Sequence, residues 1–140
     1  MSTIESYLIS LDEGIRDKYP HIKFLGKYDI TVEPGDTKWK TKIKEIERNF
    51  TKITRKISKE ILPLYKKQCL KIEVNKSKCN VSHSDFVKMI PISHISFFND
   101  GKIEGCKILF KSNNLFENPF ISITLNNISN PNASEVSLEG

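Results

Sequence analysis

Three residues of this chain suggest a cleavage chemistry and six others suggest a contact. His83 and His94, with Lys107 beyond them, are the group types that metal-independent phosphodiester cleavage needs. One imidazole would act as base and the other as acid, and an ammonium would neutralise the charge developing on phosphorus. Lys88 and Lys102 are further candidates for that last role. The second set is a run of cations, Lys40, Lys44, Arg48, Lys52, Arg55 and Lys59. Their spacing places them along one side of a helix, over about 29 Å at 1.5 Å per residue. Such a row suits a phosphate backbone or an acidic protein surface. No aromatic residue interrupts it to stack on a base, so contact would run through charge. Metal chemistry is poorly served. Cys69, Cys79, His83, His94 and Cys106 include one plausible ligand spacing, Cys79 to His83, but no CxxC pair, and no metal or cofactor is expected. Asp36 with Glu73-Val74-Asn75-Lys76 misses the acidic nuclease pattern, because the lysine falls one place late for its strand face.

The order of a helix followed by an antiparallel meander resembles the architecture of small endoribonucleases of the RelE and barnase-like type. That resemblance is of fold alone and has no motif behind it; the two-histidine site is read from the residue types. His94-Ile95-Ser96-Phe97 also meets once the alternation of the two-histidine phosphoesterases, which use it twice. His21-Ile22-Lys23-Phe24 departs from it at Lys23.

The elements that must position these groups are legible from periodicity. Trp39, Ile43, Ile46, Phe50, Ile53, Ile57 and Ile61 recur at three- and four-residue steps, which predicts a single amphipathic helix over Asp36–Leu62, capped by Asp36 and ended or kinked by Pro63. The apolar keel and the basic ridge then lie on opposite sides. The keel is expected to pack on a sheet, although it also admits a homodimer seam. A first helix is expected over Ser2–Tyr19, from its capping-box spacing and the stripe Ile4, Leu8, Leu11, Ile15. A short helix is expected after Ser82-His83-Ser84-Asp85. Strands are expected at Ile22–Leu25 and 28–33, from Cys69 to Asn75 with Leu70, Ile72 and Val74 inward, and at 92–98, 103–111 and 120–126. Asn99-Asp100-Gly101 marks a hairpin. The fold class is α+β: a long amphipathic helix plus shorter helices on one face of a mainly antiparallel sheet of about five strands. Residues 1–128 form one domain, and 129–140 are expected as a disordered tail.

Charge is concentrated where the ridge lies. Residues 37–71 hold ten Lys and two Arg against three Glu, whereas the chain as a whole is only +5. Lys outnumbers Arg 19 to 3 and Ile and Asn are abundant, which suits an AT-rich genome, viral, phage or low-GC bacterial. The opening residues do not read as a secretory signal and the three cysteines lack framework spacing, so reduced thiols in the cytoplasm are expected. Sequons at Asn49, Asn80, Asn127 and Asn132 carry little weight in a chain rich in Asn and Ser. No run is long enough to span a membrane. These observations favour a small non-catalytic binding protein that contacts nucleic acid or an acidic protein through the ridge. The alternative is a metal-independent endoribonuclease using His83, His94 and Lys107.

Overall fold

The isoleucine stripe decides the architecture. In the computed structural model, which describes residues 19–35, 37–72, 74–100, 103–131 and 134–140, Ile43, Ile46, Ile53, Ile57 and Ile61 are all buried against one face of a sheet. Each such side chain withdrawn from water contributes about 1.5–3 kcal/mol. The stripe belongs to two consecutive helices, α1 (Trp39–Arg48) and α2 (Phe50–Ile72). The single rod is therefore interrupted at Asn49, but its hydrogen-bond ladder is not lost. Asn49 N–H donates to the Glu45 and Ile46 carbonyls, and the Asn49 carbonyl accepts from Ile53 N–H, each at 3.1 Å. The Asn49 side-chain amide also donates to Glu45 O at 2.9 Å. Phe50, just after the break, packs edge-on to Phe24 at 5.0 Å and stacks on Phe110 at 6.1 Å. These ring contacts keep the stripe facing the sheet on both sides of the irregularity.

The sheet has six strands in sequence order: β1 (His21–Phe24), β2 (Tyr28–Glu33), β3 (Ile92–Asp100), β4 (Ile103–Lys111), β5 (Phe120–Leu125) and β6 (Glu135–Glu139). Every neighbouring pair is antiparallel except β2 and β3, which run parallel because the helices carry the chain back between them. The α+β class holds, with six strands rather than about five. The β1–β2 turn places Leu25 at φ 53° and Gly26 at φ 71°, closed by Lys27 N–H to Phe24 O at 3.1 Å. Gly26 is thus the second central residue of the turn, and the Glu47 carboxylate on α1 accepts Leu25 N–H at 2.6 Å. The short helix α3 (His83–Met89) starts where its capping signal sits, with Ser82 Oγ accepting Asp85 N–H at 3.2 Å. The helix expected over Ser2–Tyr19 falls outside the described residues but for Tyr19, as does the Asp36 cap.

Four expectations fail after Ile61. Pro63 does not end the helix, which runs nine residues past it to Ile72. Tyr65 provides the reason: its ring lies 6.0 Å from Phe86 and 6.5 Å from Phe116, so the continued helix buries aromatic surface. Where a strand was expected from Cys69 to Asn75, residues 69–72 are the end of α2 and residues 74 and 75 lie in a bend, and the supposed inward residues Leu70, Ile72 and Val74 are 44%, 74% and 97% exposed. The cysteines are not all reduced. Cys69 is bonded to Cys79, which ties the last turn of α2 to the 3₁₀ turn Lys76–Cys79. Residues 129–140, expected as a loose tail, include β6, which pairs with β5 from Phe120↔Glu139 to Thr124↔Glu135.

Two expected outcomes follow here. Pro63 removes one ladder hydrogen bond and crowds the carbonyl four residues back, so Pro63→Ala should stabilise the protein by about 1–3 kcal/mol, measured as a raised midpoint in urea. A thiol assay in guanidinium without reductant should find one reactive cysteine, Cys106, and with reductant three. In the native protein Cys106 should not react, because burial pushes its thiol up to about 12, with Lys42 opposing and Glu45 adding to the shift. Three thiols without reductant would contradict the pairing.

Candidate nucleic-acid interface

Anchoring one face of α1 and α2 to the sheet leaves the other in water. Lys40, Lys44 and Arg48 on α1 and Lys52, Arg55 and Lys59 on α2 are all exposed. The keel, buried in the core of its own chain, is not open as a dimer seam. Lys40 Nζ lies 5.6 Å from the Trp39 ring centroid, which holds the first ridge cation at the helix start.

On one flank the ridge meets the loop between β5 and β6. Lys52, Arg55, Lys56 and Lys59 face Ser129, Asn130 and Pro131 across a groove of about 340 Å³. Residues 127–130 of that loop are held by hydrogen bonds of their own. Asn127 Oδ1 accepts from Ser129 N–H at 3.1 Å and from its hydroxyl at 2.7 Å, and Asn130 N–H donates to Asn127 O at 3.2 Å. Pro131 is buried, while Ser129 and Asn130 are exposed. Lys56 is steered by Glu60, one turn on, at 2.6 Å. Among the described residues no ion pair engages Lys52, Arg55 or Lys59. Sequence reading missed Lys56, Ser129 and Asn130 as site residues: Lys56 sits between ridge and keel on the helix wheel, and the loop was assigned to a tail. A second groove, about 280 Å³, lies nearer α1 between Lys42, Glu45, Phe97 and residues 126–128.

The two-histidine set is not gathered in one place. His83 opens α3, which packs in the helix layer through Phe86. His94 points away from that layer, since its strand neighbours Ile95 and Phe97 are the buried ones. A register irregularity between Ile92 and His94 turns Ile92 to the helix side, so His94 shares its face with Phe98 but not with Ile92. The sheet thus stands between the two rings. Lys107 lies on the His94 face, diagonal to it, and is held by Glu139 at 2.6 Å. That ammonium's hydrogen bond keeps the Glu139 carboxyl below its usual range; burial opposes the shift, and the Ser122 and Ser137 hydroxyls reinforce it. Lys102 lies outside the described residues, and Lys88 is exposed in the last turn of α3. Among the described residues no group of three or more His, Cys, Asp or Glu could hold a metal ion.

His94 has a different consequence. It is half-buried, and loss of hydration lowers its pKa below 6.5, against the opposing pull of Glu33 and of a hydrogen bond that the ring donates to the Thr31 backbone. Ser96 Oγ donates to that same Glu33 carboxylate at 2.9 Å, and Tyr19 Oη at 3.4 Å. The fold therefore favours neutral His94, and between the two pKa values the unfolded chain binds more protons. This contribution is complete above pH 6.5 and is lost as pH falls through the lowered folded value. Chemical denaturation from pH 7.5 down to 5 should show a decline that His94→Asn flattens.

What the fold and groove define is a class: an α+β protein with a helix layer on one face of a six-stranded, nearly antiparallel sheet and a cationic flank along its outer helices. The chain matches no protein-family model, no curated protein and no solved structure. Among the described residues no helix is long and apolar enough to cross a membrane.

Proposed function

We propose that the protein is a non-catalytic nucleic-acid-binding protein that grips the phosphate backbone through the basic ridge. The observation carrying this reading is that all six ridge cations are exposed, while the opposite side of the same helices is fixed in the core. A row of cations on an anchored helix meets phosphates without first having to order its backbone. Nucleic acid is preferred over an acidic protein because the row is long, regular and free of the exposed aromatic anchors that protein interfaces favour. The cytoplasmic expectation is not carried forward, since the Cys69–Cys79 disulfide favours an oxidising compartment.

An electrophoretic mobility shift with end-labelled RNA and DNA, with EDTA present, tests the proposal. The expected result is a retarded band whose nucleic acid, recovered from the complex, has its original length. Shortened RNA would overturn the non-catalytic reading, and no retardation at micromolar protein would overturn the partner.

A further inference from the structure

We infer that the groove between α2 and residues 129–131 is a seat for a single phosphate group, so that one phosphodiester of the bound strand is held there rather than spread along the ridge. The inference rests on the nucleic-acid reading for its ligand, but its geometry is separate. Lys52, Arg55, Lys56 and Lys59 stand at steps of three, one and three residues, which brings all four to one flank of α2. Glu60 offsets one of these charges through Lys56, leaving a net excess of about three over a single turn or two. To enclose a ligand the ridge needs a facing wall. Here the loop supplies one, and a cation between two protein surfaces is less screened than one on an open helix face.

The chemistry of the lining fits a phosphodiester. Arg55 offers a planar fork that can engage two phosphate oxygens, and the lysines act as point charges around it. Asn130 brings a neutral amide to the facing wall, and the Asn127 hydrogen bonds have already ordered the loop that carries it. Among the described residues the lining contains no carboxylate, so nothing within it repels an anion. A volume of about 340 Å³ exceeds a bare phosphate and accommodates one with its attached sugar.

The test compares two variants that change net charge equally. Asn130→Asp adds a negative charge in the groove and touches no cation, whereas Lys44→Gln removes a positive charge from the α1 part of the ridge. Fluorescence anisotropy with a 5′-fluorescein oligoribonucleotide should show about thirtyfold weaker binding for Asn130→Asp, which sets a carboxylate against the seated phosphate, and at most about eightfold for Lys44→Gln, the worth of one ridge contact. Circular dichroism spectra matching the wild type would show that both variants fold. Equal losses would overturn the seat while leaving the nucleic-acid reading intact. If the wild type binds no oligonucleotide, that reading falls, and titration of ¹⁵N-labelled protein with inorganic phosphate decides the seat alone. Saturable shifts of the Ser129 and Asn130 amides would support it, and their absence would overturn it.

Discussion

Replacing Lys52, Arg55 and Lys59 together with glutamate is expected to weaken nucleic-acid binding by at least two orders of magnitude at 0.1 M salt while leaving the fold in place. The size comes from counterion release. Each phosphate neutralised on a duplex adds about 0.9 to the slope of log K against log salt, so three contacts are worth about 500-fold at 0.1 M relative to 1 M. Reversal adds repulsion to that loss. Stability should scarcely change, because all three side chains are exposed and such surface substitutions usually stay within about 0.5 kcal/mol. Anisotropy reads the affinity and the urea midpoint reads the stability. A variant that binds as the wild type does would remove the α2 cations from the interface.

The second large effect is on the fold. Phe86 is fully buried on the core side of α3, with the Tyr65 ring 6.0 Å away on α2. Truncation to alanine removes the whole ring and leaves a hole bounded by two helices that cannot close fully on it. Phe86→Ala should cost about 3–5 kcal/mol, which is a large share of the 5–15 kcal/mol available to a typical domain. Urea unfolding should show an earlier midpoint with little change in slope. A loss below about 1 kcal/mol would mean that α3 is not fastened to α2 through this residue.

What the sequence made legible was periodic and local. The keel reads correctly because Ile43 through Ile61 must all be dry to cover a sheet, and no competing contact overrides that demand. The β3–β4 hairpin and the Ser82 cap were readable because short-range chemistry alone determines them. The errors arose where tertiary contacts outweighed a local signal. Leu70, Ile72 and Val74 alternate like a strand, yet Tyr65 packing and the Cys69–Cys79 bond carry the helix on to Ile72. Pro63 is tolerated for the same reason, with its local cost offset by the aromatic contacts beyond it. Glu135-Val136-Ser137-Leu138-Glu139 does alternate, and β6 was there to be read. The polar stretch from Asn126 to Asn132 concealed it. The ridge cations were recognised as a row, but the groove was not. Lys56 and Asn130 are far apart in the chain, and only the return of β6 past α2 brings them together.

The proposed hold of exposed helix cations on a phosphate backbone is a charge effect that salt should weaken. Its most direct test is the affinity of the wild-type protein for one nucleic-acid duplex between 50 and about 300 mM salt. A straight line of log K against log salt is expected, with a slope between about −3 and −5, as three to six phosphate contacts require. Affinity that stays level across that range, or no binding at its low end, would contradict it.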